Sequence, residues 1–202
     1  MERGDFLTNG FSWSLGKDRY SQMLRTAVIT RDPAKIRRES ERVAMFRKRY
    51  EDIGQVAKCP WWLVAVLHMR ENNNDFRGVL HNGERIIGTG RKTRLVPKNR
   101  GPFATFEESA VDALKIQGIH LIKTWDVERS LGFIERYNGM GYYRRGVPSP
   151  YLWNYTSHYS KGKYTYDGVY DPTVIDQQIG CVAILIEWRN QGVFLEGIMK
   201  HE

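Results

Sequence analysis

The stretch PWWLVAVLHMRENNNDF, residues 60–76, decides how this chain is read. Pro60 can open a helix, because the N–H it lacks is one that a first helical turn leaves unpaired anyway. From Trp61 to Leu67 apolar side chains stand on every face rather than along one stripe, the mark of a helix buried in the middle of a domain. His68 and Glu71 follow one turn apart on a shared face, and the polar run Asn72 to Asp75 begins where the apolar run stops. A carboxyl placed there, beside Trp61, Trp62 and Phe76, is partly desolvated, and desolvation favours its protonated form. A protonated carboxyl at a cleft edge is what glycoside cleavage needs to protonate a leaving oxygen. Position alone equally fits an ordinary glutamate at a helix end.

Working outward, Asp32-Pro33 reads as a helix start, with Asp as N-cap and Pro in the first turn. Ile36, Val43, Phe46, Tyr50, Ile53 and Ala57 then form one apolar stripe, which predicts a single helix to residue 57 with a solvated charged face. A short helix is expected in KDRYSQMLRTAVI before it. Downstream, Asn82-Gly83 is a tight-turn signal, and Gly78, Gly88 and Gly90 punctuate the residues around it, so 76–97 reads as a small irregular β-hairpin region. Thr105 and Glu108 fit a capping box that opens a helix through Ala110 and Leu114. Another helix is expected over 124–137, with Gly139 as its stop. Eight of the 11 tyrosines then fall between Tyr142 and Tyr170, and Pro172 is expected to open the last helix, TVIDQQIGCVAILIEWRN. The fold class is mostly α (α+β), with one small β-hairpin.

Composition bounds the function. The 202 residues are 41% hydrophobic, enough for a core, and 31 Lys and Arg against 23 Asp and Glu leave a net charge of +8. Such a chain is attracted to polyanions: nucleic acid, an acidic membrane face or an acidic glycan polymer. Cys59 and Cys181 stand in apolar settings and read as buried free thiols. No apolar run approaches the ~20 residues that span a bilayer. The N-terminal MERGDFLTNGFSW has no apolar h-region, so synthesis in a cytoplasm without a signal peptide is expected.

A second carboxylate for glycosidase chemistry would be Asp75 or Glu84, each equally readable as a turn residue. His68 and Glu71 could ligate a metal with His81 or His158, but no His-x-x-x-His or Cys-x-x-Cys accompanies them, so neither metal nor cofactor is expected. Walker, nucleophile-elbow and dinucleotide motifs are missing. Arg37, Arg38, Arg47 and Lys48 lie on the first long helix, and Arg91, Lys92, Arg94, Lys98 and Arg100 in the hairpin region, with no nucleic-acid module beside them. No specific nucleic acid is expected as partner.

The run His68-Met-Arg-Glu71-Asn-Asn-Asn-Asp-Phe76, then Leu80-His81-Asn82-Gly83, then Phe106-Glu-Glu-Ser-Ala110 with Asp112-Ala-Leu114, resembles the lysozyme-like peptidoglycan hydrolases of bacteria and phages, the endolysins. Tyr137-Asn138-Gly139-Met140-Gly141-Tyr142, Ser149-Pro-Tyr-Leu-Trp153 and His158-Tyr-Ser-Lys-Gly-Lys-Tyr164 resemble the same family, so the likeness covers about residues 60–186. Goose-type lysozymes and soluble lytic transglycosylases are its wider relatives.

The resemblance implies a lysozyme-like domain over 59–202 and an N-terminal helical extension over 1–58. It implies Glu71 as general acid for the β-1,4 bond between N-acetylmuramic acid and N-acetylglucosamine, with Tyr137 and Asn138 lining the sugar cleft. Asn72 stands where transglycosylases usually carry Ser, so hydrolysis and anhydro-sugar formation are both open. His81, Tyr142, Tyr143 and Tyr159 are the further candidate sugar contacts, the three tyrosines as exposed rings and Tyr151 and Trp153 as core members. The partner expected is peptidoglycan, met by a monomer in the periplasm after release from the host cytoplasm, or as a virion-associated protein. The rival classes are a non-catalytic cell-wall-binding or virion module and a basic nucleic-acid-binding protein.

Overall fold

The computed structural model describes residues 13–198; the N-terminal stretch read for an export signal lies outside them up to residue 12. The chain is mostly helical with a small antiparallel sheet, and it divides into two compact units. One takes residues 38–124; the other takes the chain up to 37 and from 125 onward. The expected division at 58/59 falls inside the 38–124 unit, between two helices that pack on each other. No helix among the described residues is long and apolar enough to cross a membrane.

Helix α1 (Trp13–Thr26) precedes α2 (Pro33–Ala44), α3 (Arg47–Ala57), α4 (Trp61–Asn72) and α5 (Phe106–Ile116). The single helix expected from Pro33 to Ala57 is broken at Met45-Phe46, where the Phe46 amide bonds Val43 three residues back. The break turns Phe46 onto the edge of Phe76, with ring centroids 4.8 Å apart. Val43, Tyr50 and Ile53 still reach the core, so the stripe survives the interruption. α3 packs on α4 and α5, and every residue of α4 from Trp62 to Arg70 is buried, as its all-round apolar sequence requires. α5 opens on the expected capping box: Thr105 accepts from the Glu108 amide at 3.2 Å, and the Glu108 carboxylate accepts from the Thr105 amide.

The region 76–97 holds no strand. Its bonds close turns instead of a ladder: Val79 to Glu84, Gly83 to Val79, Ile87 to Arg77 and Gly88 to Phe103. Val79, Ile86 and Phe103 make a small satellite core beneath them. The hairpin lies in the other unit, where β1 (Lys163–Tyr166) pairs antiparallel with β2 (Val169–Asp171) in the register Tyr164 opposite Tyr170. Its turn is Asp167-Gly168, with Gly168 at φ +73°.

That unit also holds α6 (Val127–Asn138), α7 (Gly141–Arg145), α8 (Pro150–Trp153) and α9 (Cys181–Asn190). α6 packs on α1 and α8, and α8 packs on α9 around fully buried Trp153, Trp188 and Phe133. α9 begins at Cys181, not at Pro172. The Asn154 carboxamide donates to the carbonyls of Asp176 and Gln178 at 2.8 and 2.6 Å, which takes those carbonyls out of helical bonding. Gly180 then passes so close to Asn154 that a Cβ would stand 2.6 Å from its amide nitrogen.

Candidate active site

Glu71 is the second-last residue of α4 and half-buried, at the point where a wholly buried helix reaches the surface of the 38–124 unit. The three asparagines after it have distinct tasks. Asn73 and Asn74 sit at φ +58° and +56°, a left-handed region that asparagine enters more readily than most residues. Their amides bond the carbonyls of Met69 and His68 and so close the helix. Arg42 on α2 reaches the Asn73 carbonyl and the Asn74 side chain, tying down the same corner. The Asn72 carboxamide is enclosed, and neither its nitrogen nor its oxygen makes a hydrogen bond among the described residues. Buried polar atoms left so are rare.

Two glycines bring the following loop onto this helix end. A Cβ on Gly83 would stand 2.9 Å from the Glu71 carbonyl oxygen, and one on Gly78 2.7 Å from Asn72 Nδ2. The loop is fastened on its far side as well. The Leu80 amide donates to Ser109 Oγ, and His81 Nε2 lies 2.9 Å from Asp112 on α5. Arg100 shares the same Asp112 carboxylate. Asp112 was quoted in the family-like motif with no role; its contact with His81 spans 31 positions, which no local pattern reveals.

The remaining candidates in this unit are committed to the framework. Asp75 pairs with Arg77 and Arg85, each at 2.9 Å. Hydrogen bonds from the Arg77 side chain and amide, with the charges of both arginines, hold its carboxyl far below the usual range. Desolvation raises Glu84, but the amides of Arg94 and Leu95 and the Asn82 side chain outweigh it and keep the group ionised below its ordinary pKa. His81 was expected to touch sugar. Its side chain is only 1% exposed and lies flat against Phe103, so the ring is a loop anchor. Burial lowers its pKa even against the pull of Asp112.

Behind Glu71, His68 is stacked on Phe106 with centroids 3.9 Å apart, and its Nδ1 meets the Tyr50 hydroxyl at 3.0 Å. Asn74 donates to the same hydroxyl. Burial pushes His68 down to about 3, against the opposite pull of the Asp75 backbone. The folded state therefore holds it neutral while the unfolded chain takes a proton below about 6.5. Its contribution to stability is complete above that pH and is lost as pH falls toward 3. The unfolding free energy from urea titrations at pH 7 to 4.5 should fall, by up to about 1.4 kcal/mol for each unit below 6.5. The fall should be shallower in His68→Phe; an unchanged slope in that variant would assign the acid sensitivity elsewhere.

The other unit carries the remaining candidates. Tyr137 is half-buried near Phe133, and Asn138 is exposed as the last residue of α6, just before Gly139 at φ +98°. Tyr142 and Tyr159, expected as exposed rings, are only 6% and 8% exposed. The Tyr142 hydroxyl accepts from the Tyr164 amide, and the Tyr159 hydroxyl donates to the Gly162 carbonyl and accepts from the Asp176 amide. These two hydroxyls hold the β-hairpin and the segment after it, so both rings are scaffold. Tyr143 keeps partial exposure, with the Arg19 guanidinium 5.6 Å from its ring. Tyr151 and Trp153 lie in the core.

The chain matches no family model, no curated protein and no solved structure. The assignment of the site therefore rests on the residues themselves and on the sequence likeness given above.

No group of three or more His, Cys, Asp and Glu stands together as metal ligands among the described residues. His68 is engaged by Tyr50, His81 by Asp112, and His158 by Thr26 and the Met23 carbonyl. Dialysis against EDTA is expected to leave the melting temperature unchanged; a fall restored by zinc would contradict this.

Proposed function

We propose that the protein is a peptidoglycan-cleaving muramidase in which Glu71 protonates the glycosidic oxygen between N-acetylmuramic acid and N-acetylglucosamine. The observation that carries this reading is the placement of Glu71: half-buried, in the last turn of an otherwise buried helix, with its backbone covered by the Gly83 loop. Proton transfer from Glu71 lets the C1–O bond break, and a water then adds to C1 and loses its own proton to solvent, from which the Glu71 carboxylate is reprotonated. The net charge of +8 draws the protein to anionic murein.

One observation favours a second reading on the same residue. Asp75 is held by two arginines and Glu84 by backbone amides, so neither is an obvious base for the attacking water. In a lytic transglycosylase the C6 hydroxyl of the muramic acid attacks C1 instead and returns its proton to Glu71, leaving a 1,6-anhydro end with no water added. Mass spectrometry of muropeptides from purified murein tests both readings, with wild type beside Glu71→Gln. A product one water heavier than the anhydro form supports hydrolysis; the anhydro mass supports the second reading; no cleavage by wild type rejects both.

A further inference from the structure

Between Glu84 and Glu107 the chain has no acidic residue and six cations, Arg85, Arg91, Lys92, Arg94, Lys98 and Arg100. Arg85 and Arg100 are paired, with Asp75 and Asp112. The other four are exposed; Arg94 lies close enough to the Glu84 carboxylate to help keep it ionised, and no ion pair is formed by Arg91, Lys92 or Lys98 among the described residues. In sequence the four flank two aliphatic side chains, Leu95 and Val96, which are 57% and 78% exposed.

This tip is built, not slack. Thr93 is 2% exposed and closes the loop from inside: its amide donates to the Arg100 carbonyl and its carbonyl accepts from the Asn99 amide. Its hydroxyl accepts from the Arg100 amide at 3.0 Å and donates to the Pro97 carbonyl at 2.5 Å. The Glu84 carboxylate takes the amides of Arg94 and Leu95, and Asn82 donates to the Val96 carbonyl. Eight residues are thus fixed so that two adjacent aliphatic groups point outward. Isolated exposed aliphatics need no explanation, but a fixed pair flanked in sequence by four exposed cations points to a partner.

We propose that loop 91–98 is a docking finger for an anionic lipid surface. Bases gain from acidic headgroups, and Leu95 and Val96 gain only where an apolar medium lies just beneath them. A nucleic acid or a glycan strand answers the bases equally well but gives the aliphatic pair little, since neither side chain can stack or hydrogen-bond. Charge and apolarity together therefore select the bilayer surface. The finger lies within the 38–124 unit and does not depend on what Glu71 does.

The test is co-sedimentation of the full chain with vesicles of phosphatidylglycerol and phosphatidylcholine, beside vesicles of phosphatidylcholine alone. Wild type is expected to bind the acidic vesicles and to leave the neutral ones in solution. The double variant Leu95→Ser/Val96→Ser keeps the charge and the anchors Asn82, Glu84 and Thr93, and should bind about tenfold more weakly or worse. The single Val96→Ser should fall between, which covers the case in which the double variant melts early. Lys92→Glu and Lys98→Glu should each lose about fivefold or more, with the loss shrinking at high salt. Three results would overturn the proposal: no wild-type binding to acidic vesicles, serine variants that bind them as wild type does, or serine variants that lose murein or duplex DNA binding to the same extent.

Discussion

Glu71→Gln is expected to lower the clearing of chloroform-treated Gram-negative cells by about 10²- to 10⁴-fold, the range that a positioned general acid supplies. The substitution keeps the size and the hydrogen-bonding outline of the side chain, and glutamine is nearly as good a helix former as glutamate. Its site is half-buried in the last turn of α4, outside the fully buried run Trp62–Arg70. The melting temperature should therefore stay within a few degrees of wild type, which separates loss of chemistry from loss of fold. Any murein binding should also persist, because the substitution leaves the 31 lysines and arginines untouched. A non-catalytic wall-binding module makes the opposite forecast: full phenotype with Gln at position 71. Activity within a few-fold of wild type in a folded variant would remove Glu71 from the mechanism, and with it both the hydrolytic and the anhydro-forming reading.

The parts of this molecule that are legible in sequence are those fixed by short-range physics. Helix α4 is recognisable because its apolar residues surround the axis, α5 because Thr105 and Glu108 satisfy each other's amides, and α6 because Gly139 stops it. The readings that fail are those in which a distant group overrides a local preference. Asn82-Gly83 and Asp167-Gly168 are equivalent turn signals; only the second is flanked by segments that pair, and the first is held as a turn by Glu84 and α5. Pro172 offers a helix start, but Asn154 claims the carbonyls that the helix would use. The tyrosine-rich connector looks like a sugar platform by composition, yet Tyr142 and Tyr159 use their hydroxyls to satisfy backbone in a hairpin too short to stand alone. The place of Glu71 at the end of α4 was legible because it follows an apolar run. Its supports were not, because Tyr50, Arg42 and Asp112 reach the corner from elsewhere in the sequence.

Gly83→Ala tests whether that corner is held for catalysis. Gly83 has φ +77°, so a side chain costs about 1 kcal/mol in backbone strain whatever surrounds it. It also has a close neighbour that cannot rotate away: the new Cβ would lie 2.9 Å from the Glu71 carbonyl oxygen and 3.3 Å from Asn72 Cβ. Either the loop lifts or the last turn of α4 shifts, and a shift of that turn carries the Glu71 carboxyl away from the position proposed for catalysis. A displacement on the order of 1 Å at a reacting group costs up to about a hundredfold in rate. Gly90 supplies the control. It has φ +71° and lies in the same unit, but a Cβ there meets nothing within 4 Å. Gly90→Ala should therefore show the strain alone, a melting temperature lowered by a few degrees with murein turnover near wild type. Gly83→Ala should show a similar or somewhat larger thermal shift together with a ten- to hundredfold loss of turnover, about the range quoted for misplacement. Equal turnover in the two variants would mean that contact between the Gly83 loop and the end of α4 is packing only, and that the position of Glu71 is fixed by the His68, Tyr50 and Asn74 cluster behind it.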